Sequence, residues 1–140
     1  MSDFVLDASL ALQWFLEDET DRQYSLQVLN SIAESRAFVP QLWFYEIGNG
    51  LLMAYRRKRI TLDQMDAFLA RLKALPVESA LDATTELFDL PALAQTHGLT
   101  NYDAAYLAAA MHMNLPLATA DKKLRNAAVS AGVKIFNVQA

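Results

Sequence analysis

The sequence of 140 residues contains no cysteine and only two histidines. Without cysteine the chain cannot form a disulfide, a thiolate zinc site or a cysteine nucleophile. The two histidines, His97 and His112, stand far apart in the sequence, so we do not expect them to bind a metal as a pair. These absences exclude the sites that depend on a thiol or on paired imidazoles.

Long apolar runs are also missing. No run approaches the roughly 18 residues that indicate a transmembrane helix. The first residues, MSDFVLDAS, lack a basic region, so we expect no signal peptide and a cytoplasmic protein. The net charge of −4 argues against nucleic-acid binding, which favours basic domains, but four acids in one metal site would account for that whole excess.

Short apolar segments alternate with segments of helical periodicity along the chain. This alternation predicts an α/β domain with a mainly parallel sheet covered by helices on both faces. The length favours a single domain, residues 1–140. We predict strands over 4–6, 37–39, 76–78, 117–119 and 133–138, and helices over 8–16, 17–35, 41–59, 61–75, 82–97, 101–113 and 122–131.

Two acids follow predicted strands directly. Asp7 ends the first strand, and Asp121 lies just past the strand in LPLAT. In open α/β sheets, ligands bind beyond the carboxyl ends of the strands, where the strand order reverses. If these two strands are neighbours at that point, both carboxylates face one crevice. Asp103 begins the apolar helix 101–113, and Glu46 lies on the helix after the second strand.

Each of these acids also has an ordinary structural explanation. Asp7 and Asp121 could cap the helices that follow them, and Asp103 could complete a capping box with Thr100. Glu46 could be a solvated helix residue, although its neighbours in WFYEIGNGLL are large and apolar. Taken together, carboxylates without histidine or cysteine select a hard cation such as Mg²⁺ or Mn²⁺. Such an ion supports phosphodiester hydrolysis.

Several polar residues near the acids are candidates for supporting roles. Ser9 and Thr119 each stand two residues from a strand-end acid, either as hydrogen-bond donors to it or as plain strand-end residues. Asn49 shares a helix face with Glu46 and could bond a metal ligand or a substrate phosphate. The basic candidates for phosphate contact, or alternatively for a solvated helix end, are Arg56, Arg57, Lys58, Arg59, Lys122 and Lys123.

Two glycines, Gly48 and Gly50, lie inside a predicted helix. Each costs roughly 1 kcal/mol relative to alanine at such a position. Their presence therefore indicates close approach of another backbone, and we favour a tight helix–helix contact over contact with RNA.

Four segments, in this order, resemble the PIN-domain ribonucleases, and more narrowly the VapC-type toxins of type II toxin–antitoxin systems: VLDASLALQWFLED, VPQLWFYEIGNGLL, LTNYDAAYLAAA and LPLATADKKLRNAA. The resemblance covers essentially the whole chain. It implies an α/β/α sandwich around a five-stranded parallel sheet. It also implies an endoribonuclease whose Mg²⁺ or Mn²⁺ is held by Asp7, Glu46, Asp103 and Asp121, with Asp7 and Asp103 as the usual ligands.

The resemblance further implies partners: an RNA substrate, a small VapB-like antitoxin that wraps the toxin, and a second copy in a homodimer. Some relatives carry a further acid after the last one, where this sequence reads KKLRN. The alternatives are a housekeeping PIN nuclease, a non-catalytic PIN binding module and a haloacid-dehalogenase-like phosphatase. The phosphatase would need a second Asp two residues after the first, where this chain has Ser9.

Overall fold

Four short parallel strands alternate with helices in the computed structural model, which describes residues 2–80 and 87–138. This architecture confirms the predicted α/β class. The strands are β1 (Phe4–Leu6), β2 (Ala37–Val39), β3 (Val77–Ser79) and β4 (Leu117–Ala118). The helices are α1 (Ala8–Leu12), α2 (Gln23–Ser31), α3 (Leu42–Arg56), α4 (Leu62–Ala74), α5 (Leu90–His97), α6 (Asn101–Met113) and α7 (Lys122–Ser130).

The strand order places the ends of β1 and β4 side by side. The sheet runs β3-β2-β1-β4, and all three neighbouring pairs are parallel. The chain builds the sheet outward from β1 to β3 and then returns to the other side of β1 with β4. The ladder extends past β1, because the Asp7 N–H donates to the Ala118 carbonyl at 2.9 Å. The order therefore reverses between β1 and β4, which meets the condition under which the two strand-end acids would face one crevice.

The prediction of a fifth strand over 133–138 is wrong for the described residues. Only one parallel bridge forms there, between Leu117 and Ile135. Its hydrogen bonds join Leu117 N–H to the Lys134 carbonyl at 2.9 Å and Phe136 N–H to the Leu117 carbonyl at 2.8 Å. Because β4 itself has only two residues, it offers this segment too few partners to extend the ladder. The sheet of the described residues therefore has four strands.

Several helix boundaries differ from the prediction. The first helix ends at Leu12 rather than residue 16, and the second begins only at Gln23. Residues 82–86 of the predicted helix 82–97 lie outside the described residues. In the described part, Pro91 stands in the first turn of α5, where its missing N–H costs nothing. Gly98 ends α5 in the left-handed conformation, with φ 65°.

Close packing of α1 on α3 accounts for one of the two glycines. A Cβ built at Gly50 would lie 2.6 Å from Cδ1 of Leu12, so a side chain there would force the Leu12 side chain to move. The predicted tight helix contact is thus confirmed at Gly50. It is wrong at Gly48, where a Cβ would meet nothing within 4 Å. The contact fixes α3, which carries Glu46, against the helix that follows Asp7.

None of the helices in the ranges 2–80 and 87–138 combines the length and the apolar character needed to cross a membrane.

Candidate active site

Asp7 is buried at the carboxyl end of the central strand, with 3% of its surface exposed. Its Oδ2 accepts hydrogen bonds from the Ser9 hydroxyl and from the Thr119 hydroxyl, each at 2.6 Å. Asp7 occupies the N-cap position of α1, but its side chain makes no capping hydrogen bond. The capping explanation for Asp7 is therefore wrong. Two hydroxyls from different elements hold this carboxylate in place at the end of β1.

Thr119 joins Asp7 to Asp121. Its side chain is fully buried, and its oxygen accepts the Asp121 N–H at 3.0 Å while its hydroxyl donates to Asp7. The Oδ1 of Asp121 accepts the N–H groups of Lys123 and Leu124 at 2.8 and 3.2 Å. The capping explanation for Asp121 is thus confirmed. One hydroxyl holds the backbone of one acid and the carboxylate of the other.

Glu46 is half-buried on α3, and its Oε1 accepts the Tyr106 hydroxyl at 2.5 Å. Tyr106 lies on α6 and is fully buried. Sequence analysis did not single out this tyrosine, because the apolar stretch around it indicated packing alone. The available signal was its hydroxyl, since a buried tyrosine usually finds a hydrogen-bond partner.

The neighbours of Glu46 are not all buried. Phe44 is 44% exposed and Tyr45 is 71% exposed, although Trp43 and Ile47 are buried. The inference that large apolar neighbours exclude a solvated face was therefore only half correct. Asn49 is exposed on the same helix, and its suggested role stays a prediction.

Like charges and burial raise the pKa values of three acids. The pKa of Asp7 rises from 3.8 to about 6, because of burial first, and then the charges of Asp103 and Glu46; the two hydroxyls partly oppose the rise. Burial and the charge of Asp103 raise the pKa of Glu46. Burial and the charge of Asp121 raise the pKa of Asp103. These electrostatic influences link Asp7 to Glu46 and Asp103, and Asp103 to Asp121, so the four acids lie near one another at this end of the sheet.

The four carboxylates do not form a closed ligand cage. Across the described ranges, no three acidic or histidine side chains lie close enough together to hold one metal ion. Their chemistry nevertheless suits a hard cation, because every donor is a carboxylate oxygen. Mg²⁺ in particular keeps several waters and binds through one or two carboxylates. The donor set therefore fits an ion held partly by water.

The basic candidates divide into two groups. At the end of α3, Arg59 is committed to a bidentate pair with Asp18, at 2.7 and 2.8 Å, and to Glu19 at 3.3 Å. These pairs give Arg59 a structural partner, and its suggested role in phosphate contact stays a prediction. Arg56, Arg57 and Lys58 are exposed, but Arg56 is about 15 Å from Glu46 along the helix axis.

Two other candidates lie on α7, close to the acids. Lys122 and Lys123 are exposed in the first turn of this helix. The charge of Lys123 lowers the pKa of Asp103, in opposition to the burial that raises it. Lys123 is thus the basic candidate that acts on the acidic crevice.

Burial of Asp7 and repulsion from neighbouring carboxylates should make its charged form destabilising. We expect Asp7→Asn to raise the free energy of unfolding in metal-free buffer at pH 7.5 by about 2 to 3 kcal/mol, from a shift of about two pKa units. Because the folded-state pKa is raised, the wild-type chain loses this stability as the pH rises from about 4 through about 6. Urea unfolding with EDTA at pH 5 and pH 7.5 measures it. An Asn variant no more stable than wild type at pH 7.5 would contradict the prediction.

Comparison with known proteins identifies the fold and the family. The sequence model of the PIN domain matches residues 4–130. Ribonuclease VapC3 of Pyrobaculum aerophilum is 32% identical over 124 residues, which cover 86% of this chain and 90% of that protein.

Solved structures support the same fold. PAE2754 from Pyrobaculum aerophilum superposes with a TM-score of 0.67 at 24% identity, over 90% of this chain and 84% of that one. FitAcB from Neisseria gonorrhoeae superposes with a TM-score of 0.64 at 17% identity, over 96% of this chain and 97% of that one. The chain therefore belongs to the PIN-domain family, and within it to the VapC-type ribonucleases.

Proposed function

We propose that this protein is a metal-dependent endoribonuclease and the toxin of a VapBC-type toxin–antitoxin pair. Asp7 is the observation that carries the proposal. A buried carboxylate is costly unless something pairs with it, and the charges of Asp103 and Glu46 act on this one at the end of the central strand. A bound cation would pair with it. The 32% identity to Ribonuclease VapC3 supports RNA as the substrate class.

The proposed ligands are Asp7 and Asp103, with Glu46 and Asp121 completing the site directly or through water. Among the described residues, both hydrogen bonds to Asp7 fall on Oδ2, so Oδ1 is left for a cation. A divalent ion, when bound, stabilises negative charge on the scissile phosphate and makes a coordinated water more acidic. Ser9 and Thr119 hold Asp7 at the crevice, and burial of Asp7 excludes competing water from one side of it.

Contact with the RNA backbone is proposed for α7. Lys123 is exposed and acts electrostatically on Asp103, so it can bind a phosphate that enters the crevice. Lys122 stands beside it. Arg56, Arg57 and Lys58, at the far end of α3, are proposed as outer contacts of a longer RNA, and Asn49 as a polar contact nearer to Glu46.

The proposed protein partners are a VapB-like antitoxin and a second copy of the chain in the cytoplasm. Large apolar side chains are exposed on α3 and α4, and they support association with a protein: Phe44, Tyr45, Leu62 and Leu69. An arginine of the antitoxin that reached the acids would compete with the metal, and an apolar helix would supply binding energy. The homodimer stays a prediction, and the molar mass in solution from light scattering tests it.

An RNA cleavage assay tests the proposed function. We expect the purified chain to cut labelled single-stranded or loop RNA with Mg²⁺ or Mn²⁺, to stop cutting in EDTA, and to resume when Mg²⁺ is added in excess. Undiminished cleavage in EDTA would contradict the metal site. Binding without cleavage would indicate a non-catalytic PIN module. Release of phosphate from p-nitrophenyl phosphate would favour the phosphatase alternative, which family membership does not support.

A further inference from the structure

The hydrogen bond between Tyr106 and Glu46 connects a fully buried phenol ring to a carboxylate of the crevice. The Tyr106 hydroxyl donates to Glu46 Oε1 at 2.5 Å, between helices α6 and α3. The ring is fully buried, so packing fixes the position of the hydroxyl. Glu46, in contrast, is half-buried on a helix with exposed neighbours. The tyrosine is therefore enclosed by packing, whereas the glutamate side chain is partly open to solvent.

The same hydroxyl also lies against the element that carries Asp7. Ala8 is the first residue of α1, so its N–H has no acceptor within the helix. Burial, then the hydrogen bond to Glu46 and the charges of Asp7 and Glu46, raise the pKa of Tyr106, and a backbone hydrogen bond from Ala8 opposes this rise. Tyr106 stands one turn after Asp103 on α6. It therefore lies on the helix that carries Asp103 and contacts the two helices next to Asp7 and around Glu46.

We propose that Tyr106 is a positioning residue that holds the Glu46 carboxylate in the acidic crevice through its hydroxyl. The inference rests on the proposed function, because it assigns Glu46 to the metal site. A glutamate side chain has three rotatable torsions, and the charges of Asp7 and Asp103 repel its carboxylate. Without the hydroxyl, rotation toward solvent would relieve that repulsion. The hydrogen bond opposes this rotation and keeps the carboxylate where a cation can meet it.

A purely structural role for Tyr106 would have different consequences. In that case Glu46 would serve only to satisfy a buried hydroxyl, and loss of the hydroxyl would change stability alone. In the proposed role, loss of the hydroxyl weakens metal binding even when the fold is intact. Partners that orient metal ligands typically contribute about 10-fold to 100-fold to affinity or activity. The two roles are therefore separable by measurement of metal affinity.

The test uses Tyr106→Phe, which keeps the ring and removes the hydroxyl. We expect Mn²⁺ affinity, from the electron paramagnetic resonance signal of free Mn²⁺, to fall about 10-fold. RNA cleavage should show a similar loss in kcat with KM for RNA unchanged. Tyr24→Phe is the matched control, because its hydroxyl donates to the Phe136 carbonyl at 2.7 Å, away from the acids. The control should lower Tm and leave Mn²⁺ affinity unchanged.

A double variant tests whether Tyr106 acts through Glu46. In a Glu46→Ala background, Tyr106→Phe should weaken Mn²⁺ binding no further. In Tyr106→Phe alone, the Glu46 carboxylate loses its hydrogen-bond donor, and the Ala background removes this side effect. A further loss there, or unchanged Mn²⁺ affinity in Tyr106→Phe, would overturn the inference. Because Mn²⁺ binding is measured without RNA, it decides the role of Tyr106 even if the wild-type chain fails to cut RNA.

Discussion

Asp7→Asn and Asp103→Asn should each reduce the rate of RNA cleavage by about a thousandfold or more while the protein stays folded. Loss of a group that acts directly on the reacting atoms reaches this size in other hydrolases. The Asn side chain keeps the volume and an acceptor oxygen for Ser9 and Thr119, but it removes the charge that a cation requires. Single-turnover cleavage in Mg²⁺, with circular dichroism for folding, measures the effect.

Asp66→Asn is the control for those two variants. Asp66 is exposed on α4, so its substitution changes the net charge by the same amount but leaves the proposed metal site unaltered. We expect near wild-type cleavage from it. If Asp7→Asn or Asp103→Asn kept near-normal turnover in the same assay, the proposed site would be misplaced.

Expression of the wild-type chain alone should arrest growth, and co-expression with the gene directly upstream should restore it. An RNA-cleaving enzyme without its inhibitor damages the transcripts on which the cell depends. Asp7→Asn should abolish the arrest, whereas Asp66→Asn should preserve it, and growth curves after induction measure both. A wild-type chain that is harmless in its own host, after deletion of that neighbouring gene, would contradict the toxin assignment. A housekeeping PIN nuclease would still fit that outcome.

Much of the fold was predictable because residues close together in the sequence determine its helices and strands. Apolar runs alternate with helical periodicity, and this alternation correctly predicts parallel strands with helices between them. The predicted start of α4, at residue 61, lies within one residue of the observed start, where Thr61 and Gln64 form a capping box. The position of the two acids at strand ends fits the observed pairing of β1 with β4, which the sequence left as a condition. These features depend on neighbouring residues or on a general rule of sheet topology.

The sequence is least informative where contacts between residues far apart in the chain determine the structure. The segment around Ile135 has the composition of a strand, but the partner strand is too short to pair with it. Arg59 belongs to a basic run, yet it pairs with Asp18, far earlier in the chain. Tyr106 was hidden in an apolar stretch because its partner, Glu46, lies on another helix. The periodicity and composition of a sequence segment do not show which distant residue it will contact.

The hydroxyl of Thr119 has a single proton, and that proton is directed at Asp7. The hydrogen bonds therefore run one way, from the Asp121 amide to the Thr119 oxygen and on to the Asp7 carboxylate. Bonds in such a series polarise one another, so each strengthens its neighbour. We therefore expect a displacement of α7, whose first turn Asp121 caps, to act on the Asp7 carboxylate through Thr119. A single side chain connects the backbone of one acid to the carboxylate of another acid more than a hundred residues away in the sequence.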